Sequence, residues 1–206
     1  HDPSAPPGSA KTFLCLGPGW SSSSNTPLRR HKTWVHEGGI STPLIAHWPA
    51  GMKSVKGGAL CHEPSHLIDL MATAVDLAGA RLPTEYNGER ITPLEGRSLR
   101  PLLAAPSAPP AGAPRPLFWE HEGNKAMREG RWKLVSKHRG SWELYDIAAD
   151  RTESRDLAAK EPARVRAMAA AWDVWAARVG VEPWTHDIPE GSGSSPTGKK
   201  KSAKGE

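Results

Sequence analysis

The stretch that most constrains the fold lies late in the sequence. Four short runs, Leu117 to His121, Lys125 to Arg128, Arg131 to Ser136 and Ser141 to Asp146, follow one another with Glu129-Gly130 and His138-Arg139-Gly140 as turn signals. Runs of this length separated by such turns predict sequence neighbours paired antiparallel. A helix is then predicted over about 162–178, opened by Pro162 and stopped near Gly180, with Val165, Met168, Ala169, Trp172 and Trp175 or Ala176 on one face. A small sheet with one helix to cover it is the simplest way to bury both apolar faces. Trp132, Trp142, Trp172 and Trp175 fall in these elements and are assigned to packing rather than to a carbohydrate platform.

The upstream sequence is less regular. Residues 1–11 read as loop, and Gly17 to Asn25 also reads as irregular. Ile40 to Trp48 offers a strand, closed by Pro49 and Gly51, in which Pro43 must stand at the start or at an edge. Residues 64–78 predict a helix with Pro64 in its first turn, Gly79 at its stop, and Leu67, Ile68, Met71, Ala74, Val75 and Ala78 on a buried face. Beyond it lie loops, a short helical turn at Leu99 to Leu103 and a Pro/Ala stretch from Pro106 to Pro116.

Composition narrows the classes of function. The 20 Gly and 20 Pro make about 19% of 206 residues, below the ~25–30% that marks low-complexity disorder, so a folded body rich in turns is expected. Residues 191–206 hold four Lys and one Glu, which leaves a formal +2 of the total +5 for residues 1–190. That body is too nearly neutral for a dedicated nucleic-acid-binding domain. No run approaches 18 apolar residues, so no membrane span is expected. The opening at His1, without Met or a signal segment, suggests part of a longer product. Cys15 and Cys61 could form at most one bridge.

The densest chemistry lies in Asn25 to Ile45, where the cationic run Arg29-Arg30-His31-Lys32 feeds His36-Glu37-Gly38-Gly39 and then an apolar segment. Chemistry alone leaves two readings of this run: a solvated basic loop, or a loop that holds a lysine over a ligand site at the end of a sheet.

An ordered series of motifs bears on that choice. Gly17-Pro18-Gly19-Trp20, Asn25-Thr26-Pro27, Lys32, His36-Glu37-Gly38-Gly39-Ile40, Thr42-Pro43-Leu44-Ile45 and His47-Trp48-Pro49 come first. Ile68 to Thr73, Leu77-Ala78-Gly79, Gly96-Arg97-Ser98-Leu99, Arg131 to Val135, and Glu143-Leu144-Tyr145-Asp146 with Glu153 and Asp156-Leu157-Ala158 continue it. In this order the series resembles the C-terminal portion of the arylsulfatase-like sulfatase family, over residues 17–182.

The resemblance implies an alkaline-phosphatase-like α/β fold, here incomplete: the edge of a large-domain sheet plus a small C-terminal antiparallel sheet packed by a helix. It divides the chain into residues 1–105, the C-terminal part of the catalytic domain; 106–116, a linker; 117–184, the small subdomain; and 185–206, a disordered Lys-rich tail. It implies a sulfuric-ester hydrolase in which a formylglycine hydrate attacks sulfur while a divalent cation, usually Ca²⁺, holds hydrate and sulfate. Fixed cations suit this chemistry because negative charge grows on the transferred group and the leaving oxygen. Lys32 matches the family lysine that touches the sulfate, and a compact ammonium suits an ester oxygen. His36 and His121, the latter within Glu120 to Asn124, are further candidates to contact substrate.

The modified residue of the family lies in Cys/Ser-x-Pro/Ala-x-Arg, and neither this pattern nor Asp-Asn-Gly occurs in the sequence. The nucleophile and metal ligands are therefore expected outside these residues, on the remainder of the catalytic domain, and the 206 residues alone are expected to be inactive. Periplasmic or secreted residence is implied by the resemblance alone.

Two other readings compete. A noncatalytic module could bind sulfated ligands, or could bind polyanions through Lys199-Lys200-Lys201 and Lys204. His62-Glu63-Pro64-Ser65-His66 fits the zinc-hydrolase pattern H-E-x-x-H, which needs both His on one helical face. Pro64 opposes that geometry, because proline inside a helix loses a hydrogen bond and clashes.

Overall fold

The computed structural model describes residues 4–6, 8–10, 12, 16–108 and 113–186. The chain falls into two compact units: one holds the residues up to Thr42 together with those from Pro116 onward, the other Pro43–Arg115. The segment up to Thr42 thus groups with the C-terminal sheet, whereas the sequence motifs suggested a division at 105. Cys15 and the Lys-rich tail from 187 lie outside the described residues, and Cys61 is free and exposed.

In the first unit, α1 (Gly17–Ser24) and α2 (Glu37–Ile40) precede a four-stranded antiparallel sheet of β3 (Leu117–His121), β4 (Asn124–Glu129), β5 (Trp132–Ser136) and β6 (Glu143–Asp146), in that spatial order. The long helix α5 (Pro162–Val179) follows, with Gly180 in the left-handed conformation at its end. The expected meander and its helix are present with boundaries shifted by a residue or two. The expected irregularity of residues 17–25 is not: Pro18 stands in the first turn of α1 and starts a helix despite the serine run.

Cross-strand register decides the rest. Met127, Leu134 and Leu144 stand opposite one another along the sheet and meet Met168, Trp172 and Ala176 of α5. Phe118 stacks on Trp175 with ring centroids 5.2 Å apart, and the Trp172 indole donates to the Trp119 carbonyl at 3.0 Å. Because strand side chains alternate, Ala126, Val135 and Tyr145 face the other way, where they pack with Val35 and Ile147. The sheet is buried on both faces, by α5 on one and by the segment around Val35 on the other.

The second unit holds α3 (Ile68–Leu77), the two-residue strands β1 (Glu85–Tyr86) and β2 (Glu89–Arg90), and α4 (Arg100–Ala104). The predicted helical turn at 99–103 is α4. The helix predicted from Pro64 begins four residues later, and its expected apolar face is turned outward: Leu67 is 78% and Met71 58% exposed, while Asp69 and Thr73 are buried. Asp69 accepts from the Arg115 guanidinium at 2.7 and 2.5 Å and from the backbone N–H groups of Arg97 and His66. Thr73 Oγ1 accepts from Leu99 N–H at 2.8 Å. Charge-assisted bonds to Asp69 and the Thr73–Leu99 hydrogen bond fix this side of α3.

Of residues 40–48, expected as a strand, Ile40 ends α2 and 41–48 have no regular structure. Pro43 and Pro49 lack amide donors, and among the described residues no strand lies alongside to complete a ladder.

Candidate functional site

The segment from Asn25 to Ile40 crosses the sheet face opposite α5 and is fastened to it at both ends. Arg29 Nη1 donates to Glu143 Oε2 at 3.0 Å, to the Tyr145 hydroxyl at 2.7 Å and to the Glu153 carbonyl at 3.2 Å. Eight residues on, Glu37 and Glu153 flank the Lys133 ammonium, each 2.9 Å away, and Glu37 N–H donates to Glu153 Oε2 at 2.8 Å. All three side chains of this triad are essentially inaccessible to solvent. Two carboxylates around one ammonium satisfy its Coulomb demand where water is absent, and removing either sign would strand a buried charge.

The two ends of the segment also close on each other. Gly38 N–H donates to the Arg29 carbonyl at 2.9 Å, and Asn25 Nδ2 donates to the carbonyls of Arg30 and Gly38 at 3.1 and 2.9 Å. Glycine is required at 38 and 39 because a Cβ there would strike the backbone carbonyls of Arg30 and Trp34 respectively. The Glu-Gly-Gly motif is therefore a close backbone crossing that seats a buried ion.

Lys32 stands on an exposed turn of the closed loop and makes no hydrogen bond or ion pair among the described residues. His121, at the end of β3, is also exposed, on the same sheet face as Asn124. His36 is a different case. Its side chain is buried, with Nε2 3.4 Å from Glu143 Oε2, so it belongs to the framework beneath the loop. Its apolar neighbour Val35 and the buried triad draw it inward.

Glu143 is the electrostatic hub that sequence reading missed. Its carboxyl is held down to about 2 by the His36 hydrogen bond, the Tyr145 hydroxyl at 2.5 Å and Arg29, all against the cost of burial. Burial and the same carboxylate push the Tyr145 phenol up, so it stays a neutral donor. Arg29, Glu143 and Tyr145, with Thr152, Glu153, Ser154 and Asp156, line an open cavity of about 550 Å³. The loop beyond β6 is pinned by Asp150, whose carboxyl burial would raise but whose bonds from the N–H groups of Arg155 and Ser154 hold it near 2. The alternation of β6 could have revealed the hub, since Glu143 and Tyr145 share the face opposite Leu144.

Among the described residues no group of three or more His, Cys, Asp and Glu side chains is placed to hold a metal ion. The described donors therefore do not form the cation site that the resemblance implies. His62 and His66 precede α3 and do not project from one helical face, which removes the geometry of the zinc-hydrolase reading.

No protein-family model matches the chain. Curated sulfatases do. Over 185 residues the chain is 26% identical to an uncharacterized sulfatase of Schizosaccharomyces pombe, covering 84% of this chain and 32% of that protein. It is 32% identical over 143 residues to arylsulfatase A of Homo sapiens, covering 66% and 25%. Over 124 residues it is 32% identical to steryl-sulfatase of Mus musculus, covering 59% and 17%. Among solved structures, Ps i-CgsB in complex with k-i-k-neocarrahexaose superposes with a TM-score of 0.61 at 26% identity, covering 81% of this chain and 35% of that one. The chain thus spans about a third or less of the proteins it matches.

The chain is sulfatase-like in sequence and in fold, as its ordered motifs indicated. Its architecture is α/β, with the small antiparallel sheet packed by a helix.

Proposed function

We propose that this chain is the C-terminal portion of a sulfuric-ester hydrolase of the arylsulfatase-like kind, in which Lys32 contacts the sulfate group. The observation that supports this is the contrast within the loop: Arg29, Glu37 and Asn25 are each committed to buried or backbone partners, while the Lys32 ammonium is exposed and unpaired among the described residues. A cation held on a fixed loop costs little reorganisation when an anion arrives, which is what stabilising a developing sulfate charge requires. Formylglycine and a divalent cation, with the residues that hold them, belong in this reading to the rest of the catalytic domain. That remainder would cover the outward apolar side of α3, and the 206 residues alone would show no turnover. Residence outside the cytoplasm, periplasmic or secreted, is part of the same proposal.

The test is hydrolysis of a chromogenic aryl sulfate by the complete enzyme. Lys32→Ala is expected to lower kcat/KM by roughly 10²–10³, the usual loss on removing one charge-stabilising donor. Unchanged hydrolysis would end the assignment of Lys32. A complete protein that binds sulfated ligands through Lys32 without hydrolysing them would establish the noncatalytic alternative instead.

A further inference from the structure

Lys32 is followed by Thr33 at φ 89°, a left-handed conformation that β-branched residues rarely adopt. Strain of this kind persists only where surrounding contacts over-determine it. The contact here comes from the sheet. Asn124 is 2% exposed, and its Nδ2 donates to the Thr33 carbonyl at 3.1 Å and to the His121 carbonyl at 2.9 Å, while Oδ1 accepts from His138 N–H at 3.2 Å. One buried amide thereby joins the backbone beside Lys32 to the backbone of His121.

The position of that amide is itself fixed. Asn124 pairs with His121 across the β3–β4 hairpin, whose two turn residues, Glu122 and Gly123, both have positive φ, the geometry that matches strand twist. Glu120 Oε1 accepts from Gly123 N–H at 2.8 Å and locks the turn. On the other side the loop is closed by Asn25 and the Gly38–Arg29 bond. Asn124 is the described side chain that holds the exposed middle of the loop to the sheet at Thr33.

We propose that Asn124 is a positioning residue for Lys32: by holding Thr33 in its left-handed conformation it sets the direction in which the ammonium leaves the loop. This rests on the reading of Lys32 as a sulfate contact. Without the Nδ2 donor, Thr33 relaxes to negative φ and the Cα–Cβ vector of Lys32 turns away. A displacement of about 1 Å in a catalytic group can cost on the order of 10²-fold in rate.

The experiment is a double-mutant cycle on the complete enzyme with a chromogenic aryl sulfate. Asn124→Asp keeps the shape and removes the donor; Asn124→Leu removes it without burying a charge, and serves if the carboxylate prevents folding. Either is expected to lower kcat/KM by about 10- to 100-fold in the Lys32 enzyme and by less than about 2-fold in the Lys32→Ala background, because a positioning residue has nothing left to position. A full-sized loss in both backgrounds, or no loss beside an impaired Lys32→Ala enzyme, overturns the proposal and leaves the sulfate contact standing. An unimpaired Lys32→Ala enzyme overturns both.

Discussion

The two units of this chain solve opposite problems. The sheet unit hides its hydrocarbon: Leu134, Val135 and Leu144 are fully buried, and even its charges, Lys133, Glu37 and Glu153, lie inside. The 43–115 unit hides polar groups and shows hydrocarbon. Asp69 and Thr73 form the inner side of α3, while Leu67, Ile68, Leu70, Met71 and Leu77 face out, with Leu60 and Ile45 exposed nearby in sequence. A contiguous apolar helix face marks an interaction surface more often than it marks chance. The contrast teaches that the sheet unit contains its own core, whereas the other unit leaves the apolar side of α3 exposed among the described residues.

The largest expected effect tests whether the sheet unit is held from within. Lys133→Met leaves Glu37 and Glu153 facing each other without a counter-charge, and should cost about 3–5 kcal/mol of stability. Chemical denaturation measures it. Adding Glu37→Gln and Glu153→Gln should recover most of the loss, because a neutral triad strands no ion. If the single and triple variants melt alike, the triad is not what fastens the loop to the sheet.

A smaller effect sharpens the other half of the comparison. Leu67→Ser with Met71→Ser removes hydrocarbon that is exposed in these residues, so the stability of the 206-residue chain should change by no more than about 0.5 kcal/mol. Its aggregation should fall, which light scattering would show. In the larger protein proposed above the same pair should destabilise by a few kcal/mol, through polar groups pressed against an apolar partner. Equal and negligible effects in both settings would mean that α3 keeps its apolar side in water.

The same contrast explains what the sequence discloses. The meander and α5 are local: alternation, turn residues, Pro162 and Gly180 carry their own instructions, and the structure follows them. The periodicity of 64–78 correctly announces a helix and an apolar face, but periodicity cannot say whether the partner lies within the same chain. Residues 40–48 fail for the same reason, since a strand exists only beside another strand. At the candidate site, motif order singles out Lys32 and His121 as candidates, and their roles belong to the proposal above. The roles of Asn124 and Lys133 come from pairing with residues some 90 positions away, which motif order does not disclose. His36, a candidate from its place beside Glu-Gly-Gly, is buried beside Glu143.

The smallest effect concerns acid. Glu143 has a folded-state pKa of about 2 against an ordinary 4.5, chiefly through the His36 hydrogen bond. A depressed carboxyl contributes stability that is fully present above its unfolded value and is lost as pH falls through the folded one. The contribution should therefore fade between about pH 4.5 and 2 in the sheet unit. Asp150, also held near 2 but from an ordinary 3.8, acts in the lower part of that window. Glu143→Gln removes one of these two protons from the linkage and should make the acid limb of a stability-versus-pH curve shallower, while Arg29 keeps its bonds to Tyr145 and the Glu153 carbonyl. An acid limb of unchanged slope would show that Glu143 is not held by its neighbours, and that the end of the loop at Arg29 is anchored by those two bonds alone.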